Sequence, residues 1–305
     1  MTALHKEGDA VSLPPPIRSW LYAPGNNAKL LDRVFTAGAD AVILDLEDAV
    51  PPGAKAEARA MVAEAVQAHA GLPGPYLSVR VNHPETGHAQ DDVRAVVAPG
   101  LAGLRLPKVE DTATVRLVVG WIAEAEAAAG LAAGSIALVC SLETARGVWN
   151  ALDIAQADPR VKALTFGAVD FVRDLHLILG PDATETLYAR SRLVLASRVA
   201  GIRPPLDSVY PHLLDDEGLE RSTRQGRALG FFGRSALHPR QVPIINAVYT
   251  PTADEIAAAQ AIVAAAAAAA ATGTGALRLP NGEFVDIPVV RYAEDTLRLA
   301  AALGS

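Results

Sequence analysis

Short apolar runs alternate with longer stretches of helical periodicity along most of the chain. The runs fall at 17–23, 41–46, 76–82, 103–107, 136–142, 163–166, 206–210 and 228–237. They are rich in Val, Ile and Leu and do not alternate cleanly with polar residues, as expected of parallel strands covered on both faces. Between them, helical patterns occupy 26–38, 53–69, 112–130, 144–157, 185–201 and 216–227, while 83–102 reads as a shorter and less regular connection. Eight strands separated by helices predict an α/β protein of the (β/α)8 barrel type. A doubly wound open sheet is the competing arrangement, and the lack of a GxGxxG after the first strand counts against its dinucleotide-binding form.

The pattern changes after His238-Pro239. An Ala-rich helix is predicted over 253–271, followed by a Gly/Thr linker and a tail too small to fold independently. The expected organisation is a disordered lead-in over 1–16, a (β/α)8 barrel over 17–250, and a C-terminal helix and lid segment over 251–305. That last segment must dock on the barrel or on a neighbouring subunit.

Composition narrows the function classes. Of 305 residues, half are hydrophobic and a fifth are charged, so a sizeable core can be buried. The formal net charge is −7 and no Lys/Arg run offers a phosphate-backbone footprint, which argues against a nucleic-acid partner. Cys140 is the sole cysteine, excluding an intrachain disulfide and a multi-cysteine metal site. The first residues hold no apolar core of signal-peptide length, and the alanine run 264–271 reads as too short and too bland to cross a bilayer. A soluble cytoplasmic protein, with no membrane partner, is the expectation.

Candidate chemistry gathers where strands end, which is where barrel enzymes build their sites. Pro24-Gly25-Asn26 follow the first run, Asp45, Glu47 and Asp48 the second, and Arg80 and Asn82 close the third. Pro107-Lys108-Val109-Glu110 follow the fourth, with Glu143, Asp170 and His238 after the fifth, sixth and eighth. Each has a plain alternative: Asp170 and Asp111 could be helix caps, and Arg80 an ordinary ion-pair partner. Together the acids call for a cation. Glu143 and Asp170 come from adjacent strands and could share one ion; without HExxH or paired cysteines, all-oxygen ligation suits Mg²⁺. A 2-oxo acid and waters would complete an octahedron, with Arg80 clamping the acid's own carboxylate. Lys108 is the one lysine placed for a competing Schiff-base mechanism.

Seven motifs in order, RSWLYAPGNN (18–27), AVILDLEDAV (41–50) with Lys55 and Arg59, VRVN (79–82), LPKVE (106–110), SLET (141–144), GAVD (167–170) and GRSALHPRQ (233–241), resemble the citrate lyase beta subunit and malyl-CoA lyase family. GEFVDIP (282–288) resembles its C-terminal segment. The resemblance implies a barrel of the pyruvate/phosphoenolpyruvate type and a carbon–carbon lyase acting on malyl-, citramalyl- or citryl-CoA-like thioesters. It implies that Glu143 and Asp170 bind Mg²⁺ and that Arg80 with the metal holds the oxo acid. Arg18 would help bind the CoA phosphates, and Asp45 and Glu47 would contact metal waters and orient Arg80. Asp286 would reach a neighbouring subunit's site as acid/base, giving a homotrimer or hexamer. Two departures stand out: Val169 where many members carry glutamate, and Arg234 where lysine is common. Two alternatives stay open, a CoA-independent 2-oxo acid aldolase and a subunit serving an acyl carrier protein within a complex.

Overall fold

The computed structural model describes residues 16–180, 182–271, 277–278 and 284–304. All but the last residue of the expected 1–16 lead-in therefore lies outside the described residues. The elements run β1 (Ser19–Pro24), α1 (Ala28–Val34), β2 (Ala41–Asp45), α2 (Lys55–Ala68), β3 (Tyr76–Arg80), α3 (Ala89–Val96), β4 (Gly103–Leu106) and α4 (Thr112–Ala128). There follow β5 (Ala137–Leu142), α5 (Ala145–Trp149), α6 (Ala151–Ala155), β6 (Val161–Phe166), α7 (Ala168–Asp174), α8 (Leu187–Ala200), α9 (Asp216–Leu229) and β7 (Arg234–Ala236). The chain ends with α10 (Gln241–Tyr249), α11 (Ala253–Ala271), β8 (Leu277–Arg278), β9 (Phe284–Val285) and α12 (Ile287–Leu303). It divides into two compact units, 1–245 and 246–305.

The first unit is built on one parallel sheet, ordered β6-β5-β4-β3-β2-β1-β7. Both faces of its strands are buried, which accounts for the missing alternation. One set of side chains, Trp20, Ala41, Ile43, Tyr76, Ala137, Val139, Ala163 and Leu206, packs into a single cluster. The intervening Leu21, Val42, Leu44, Val79, Leu104 and Leu138 are also buried, on the face that parallel α/β sheets cover with helices. Helix α2 buries Ala58, Val62 and Val66 at intervals of four, and α4 buries Val115, Val118, Ile122 and Ala125. Asp111 is indeed a cap: its carboxylate accepts from Thr114 N (2.8 Å) at the start of α4.

Four elements differ from the sequence-based expectation. The strand predicted over 206–210 is reduced to two parallel single-residue bridges, Thr165↔Leu206 and Asp207↔Arg234, which span the interval between β6 and β7. Pro204, Pro205 and Pro211 bracket it, and prolines cannot donate to a ladder. The strand predicted over 228–237 begins only at Arg234. Residues 228–229 finish α9, which Gly230 ends at φ 102°, a left-handed cap conformation that glycine tolerates. The helix predicted over 144–157 is split at Asn150, whose Nδ2 donates to Glu110 O (2.9 Å). The connection over 83–102 holds a regular helix, α3.

In the second unit, α11 and α12 pack together and β8 pairs antiparallel with β9. By length and composition alone, the helical stretch Gln241–Ala269 is apolar enough to cross a bilayer, contrary to the expectation from the alanine run. Its apolar character is largely alanine, which gains little on leaving water.

Candidate active site

The carboxyl ends of the strands enclose a cavity of about 430 Å³, lined by Tyr22, Asp45, Arg80, Arg105, Glu143 and Asp170 among others. Strand register explains why these residues meet. Asp45 pairs with Arg80 across β2 and β3, and Pro24 with Asp45 across β1 and β2, so one row of inward positions forms the rim.

Arg80 is the hub of that rim. Its Nε and Nη2 both donate to Asp45, at 2.7 Å each. Nη1 lies 2.9 Å from Glu47 Oε2 and 3.7 Å from Asp48 Oδ2. Asp45 also accepts from Glu47 N (2.9 Å) and Ala49 N (3.1 Å), so the guanidinium is aimed by a carboxylate that is itself fixed. Lys108 supplies a second cation, donating to Glu47 Oε1 and to Asp48 Oδ1 (3.2 Å). Burial works against the charge on Lys108, but the hydrogen bond and charge of Glu47 outweigh it and hold the amine's pKa above its ordinary value. A Schiff-base nucleophile needs the opposite, an amine shifted down. Lys108 also sits at φ 52°, left-handed backbone rarely adopted by a residue with a side chain.

The loop carrying these acids is tied down from below. Lys55 Nζ donates to the carbonyls of Leu46 and Glu47, both at 2.7 Å. Asn82 Nδ2 donates to Leu46 O (2.9 Å) and to Asp92 Oδ2 (2.6 Å), and Arg59 Nε donates to Asp92 Oδ1 (2.8 Å). Lys55, Arg59 and Asn82 thus support the site from outside the cavity, and buried Asp92 joins them from α3, a stretch the sequence pattern marked only as an irregular connection.

Glu143 is the anomaly. It is 5% exposed, and among the described residues no donor hydrogen-bonds its carboxylate. Burial, followed by the charge of Glu47, pushes its pKa up to about 7; Arg80 opposes the shift and Asp170 adds to it. Asp170 stands in the first turn of α7 rather than in a loop, and α7 has no side-chain cap. The helix is instead fixed through Ala168 N, which donates to Ser208 Oγ (3.1 Å). Glu143 and Asp170 both border the cavity and repel one another, and neither forms an ion pair among the described residues. No group of three His, Cys, Asp or Glu that could hold a metal occurs among the described residues. An all-oxygen pair of carboxylates next to open volume fits a hard divalent ion that keeps waters and accepts substrate oxygens.

The HpcH/HpaI aldolase/citrate lyase profile matches residues 18–239. The chain belongs to that family. Within it, the chain is 38% identical to the citrate lyase subunit beta of Leuconostoc mesenteroides subsp. cremoris over 93% of each chain. It is 33% identical to the L-malyl-CoA/beta-methylmalyl-CoA lyase of Cereibacter sphaeroides, over 96% of this chain and 98% of that one. Among solved structures it resembles the CitE protein of Mycobacterium tuberculosis in complex with magnesium, acetoacetate and coenzyme A. The TM-score is 0.75 at 29% identity, covering 94% of this chain and 98% of that one.

Against this family background, the structure brings together Asp45, Glu47, Arg80, Glu143 and Asp170 of the residues the sequence nominated. It does not bring Arg18 to them. Arg18 precedes β1, at the opposite end of the strand from Pro24, and its Nε and Nη2 both donate to Asp40 at 2.8 Å. That doubly bonded pair clamps the amino ends of β1 and β2, away from the cavity at their carboxyl ends. Asp286 belongs to the second unit, is exposed, and caps α12 by accepting from Val289 N (3.2 Å). Sequence reasoning missed Arg105, hidden inside an apolar strand as LRLP, and read Lys108 only as a possible nucleophile.

Proposed function

We propose that the protein is a Mg²⁺-dependent carbon–carbon lyase of the aldol/Claisen type. It cleaves or forms a short 3-hydroxyacyl-CoA thioester, giving an acyl-CoA and a 2-oxo acid. The observation that carries this reading is buried Glu143, without a donor among the described residues, bordering with Asp170 the cavity that also holds an arginine aimed by two carboxylates. Relatives of similar length are lyases, and family structures hold magnesium with coenzyme A or with oxaloacetate.

Glu143 and Asp170 would hold the ion, and the ion would act as a Lewis acid on the substrate's hydroxyl or carbonyl oxygen. Arg80, its charge already balanced by Asp45 and Glu47, would keep its remaining donors for the oxo acid's carboxylate. That carboxylate is present in both substrate and product, so Arg80 orients the breaking bond rather than reacting. In the cleavage direction the 3-hydroxyl would give up its proton to solvent as the carbon–carbon bond breaks, and the acyl-CoA carbon, released as an enolate, would take one up; Asp286 from a neighbouring subunit is the proposed donor, in a homotrimer or a multiple of one. The closed barrel is inferred from the two bridges at Leu206 and Asp207, which take the place of an eighth strand.

A subunit serving an acyl carrier protein within a complex is the second reading, favoured by 38% identity to a citrate lyase beta subunit over 93% of each chain. Glu143→Gln and Asp170→Asn should each lower Mg²⁺-dependent cleavage at least about a hundredfold with the melting curve of the metal-free protein retained. Unchanged turnover in either variant would overturn the metal assignment. A thermal shift with coenzyme A, measured beside Mg²⁺ and oxo acids, separates the thioester enzyme from a CoA-independent aldolase, which would show none.

A further inference from the structure

Beside the strand-end cavity lies a second, larger one of about 880 Å³ that the proposed chemistry does not use. Phe166, Ala168, Val169, Ser208 and Val209 line both, so the turn from β6 into α7 and the residues after Asp207 stand between them. Arg80, Glu143 and Asp170 border the first cavity alone.

The inner end of the second cavity is cationic. Arg190 from α8 and Arg234 from β7 line it, 5% and 3% exposed, and share one carboxylate. Asp207 Oδ2 lies 2.8 Å from Arg190 Nη2 and 3.5 Å from Arg234 Nη1, while Oδ1 accepts from Ser208 N (2.9 Å). The remaining bonds of the two guanidiniums go to neutral groups: Arg190 Nη1 donates to Gln225 Oε1 (2.8 Å), and Arg234 Nη1 to Ser222 Oγ (3.1 Å). Both Nε atoms are buried without an acceptor, and Arg234 Nη2 makes no hydrogen bond among the described residues. Nearer solvent, α9 adds Arg221, which is exposed and has neither ion pair nor hydrogen bond among the described residues. The charges of Arg221 and Arg234 both act on the Tyr210 hydroxyl, so the two arginines converge on one part of the wall. The other carboxylates of the cavity, Asp182 and Asp215, are exposed, and Asp215 is already bound to Tyr210 Oη (2.5 Å) and Gly218 N (2.9 Å).

Two buried guanidiniums on one carboxylate leave a positive charge in excess, which is costly away from water unless a counter-charge arrives. The facing wall is apolar, with Phe166, Val169, Val172 and Leu179, and both Val169 and Leu179 are exposed to solvent. An inorganic ion would answer the charge and leave that wall wet. Val169 and Arg234 are also the two departures from the family pattern. A glutamate at 169 would set a carboxylate on this wall, and a lysine at 234 would lack the planar fork that grips an oxyanion. We propose that this cavity is a second ligand site, taking an organic anion whose oxyanion head meets Arg234 and Arg221 and whose apolar body lies along Val169, Val172 and Leu179. The proposal goes beyond the lyase reading and does not depend on it.

Calorimetric titration of the metal-free protein with four probes tests this. Benzoate and phenyl phosphate carry head and body, inorganic phosphate the head alone, and benzyl alcohol the body alone. The tighter of the two aromatic anions should bind at least about tenfold more strongly than phosphate or benzyl alcohol, and which one it is tells a carboxylate site from a phosphate site. Arg234→Met should lower that affinity at least about tenfold, and Arg221→Ala at least about threefold with the melting curve unchanged. Arg234→Lys should fall between the wild type and Arg234→Met. Saturating Mg²⁺ should leave benzoate affinity within about twofold, as expected of independent sites. The assignment is overturned if neither aromatic anion binds, if benzyl alcohol binds as well, or if Arg221→Ala leaves affinity untouched, even where Arg234→Met does not fold. Benzoate binding that requires Mg²⁺ would put the probe in the first cavity and overturn it too.

Discussion

At the scale of single residues, Glu143 carries the clearest electrostatic signal. Its carboxyl is raised from an ordinary 4.5 to about 7, with burial as the leading cause. A group whose pKa is raised in the folded state contributes stability that is fully present below the unfolded value and is lost as pH rises through the folded one. The metal-free protein should therefore lose Glu143's contribution between about pH 4.5 and pH 7. A divalent ion reverses the sign, because it binds the ionised form. The rise in melting temperature on adding Mg²⁺ should be larger at pH 8 than at pH 5.5, as read by differential scanning calorimetry. An equal or smaller rise at pH 8 would show that Glu143 is not where the ion binds.

Residue-scale legibility was uneven for a physical reason. Asp45, Glu47, Arg80 and Glu143 could be read from the sequence because charge directly after an apolar strand is conspicuous. Arg105 was not legible, because one arginine between leucines has no periodic signature that distinguishes inward from outward. Arg18 shows the same limit: adjacency to β1 in sequence does not reveal that it stands at the end of the strand opposite Pro24, bonded to Asp40.

At the scale of elements, the turn from β6 into α7 positions the two carboxylates. Gly167 is its pivot. A Cβ there would lie 2.9 Å from Glu143 Cδ and closer still to Cγ, so the Glu143 side chain lies across a space only glycine leaves open. Gly167→Ala should displace Glu143 and weaken Mg²⁺ binding far more than it lowers stability, for which overpacking predicts about 1–3 kcal/mol. Titration with Mg²⁺ beside a denaturant melt makes the comparison; intact Mg²⁺ affinity would show that Glu143 does not need that space. The strand order and helix spacing over β1 to β6 were legible because buried parallel strands leave unmistakable apolar runs. The split at Asn150 was not, since it depends on a hydrogen bond to Glu110 O from another loop. The late start of β7 was masked by Phe231 and Phe232, whose apolar character extends the apparent strand back into a helix cap.

At the scale of the molecule, the first unit's strands pair in ladders of three or more residues, with one register shift at Leu138/Val139 between β5 and β6, whereas between β6 and β7 only the single-residue bridges at Leu206 and Asp207 occur. Among the described residues six main-chain bonds carry that interval: Arg203 N to Lys162 O (3.0 Å), Leu206 N to Leu164 O (2.9 Å), Phe166 N to Leu206 O (3.1 Å), Phe232 N to Pro205 O (3.1 Å), Asp207 N to Gly233 O (2.9 Å) and Ser235 N to Asp207 O (3.1 Å). Ser208 and Val209, the next residues, line the cavity. The shortest pairing in the sheet is thus also a wall of the site, and local opening should concentrate there. Amide deuteration followed by mass spectrometry should show 206–209 exchanging before the centres of β2 and β5, with oxo acid and Mg²⁺ slowing 206–209 the most. Uniform slowing across the sheet would place the soft point elsewhere. Such a seam gives the fold a hinge line beside its own ligand, so that filling the cavity and fastening the sheet become one event.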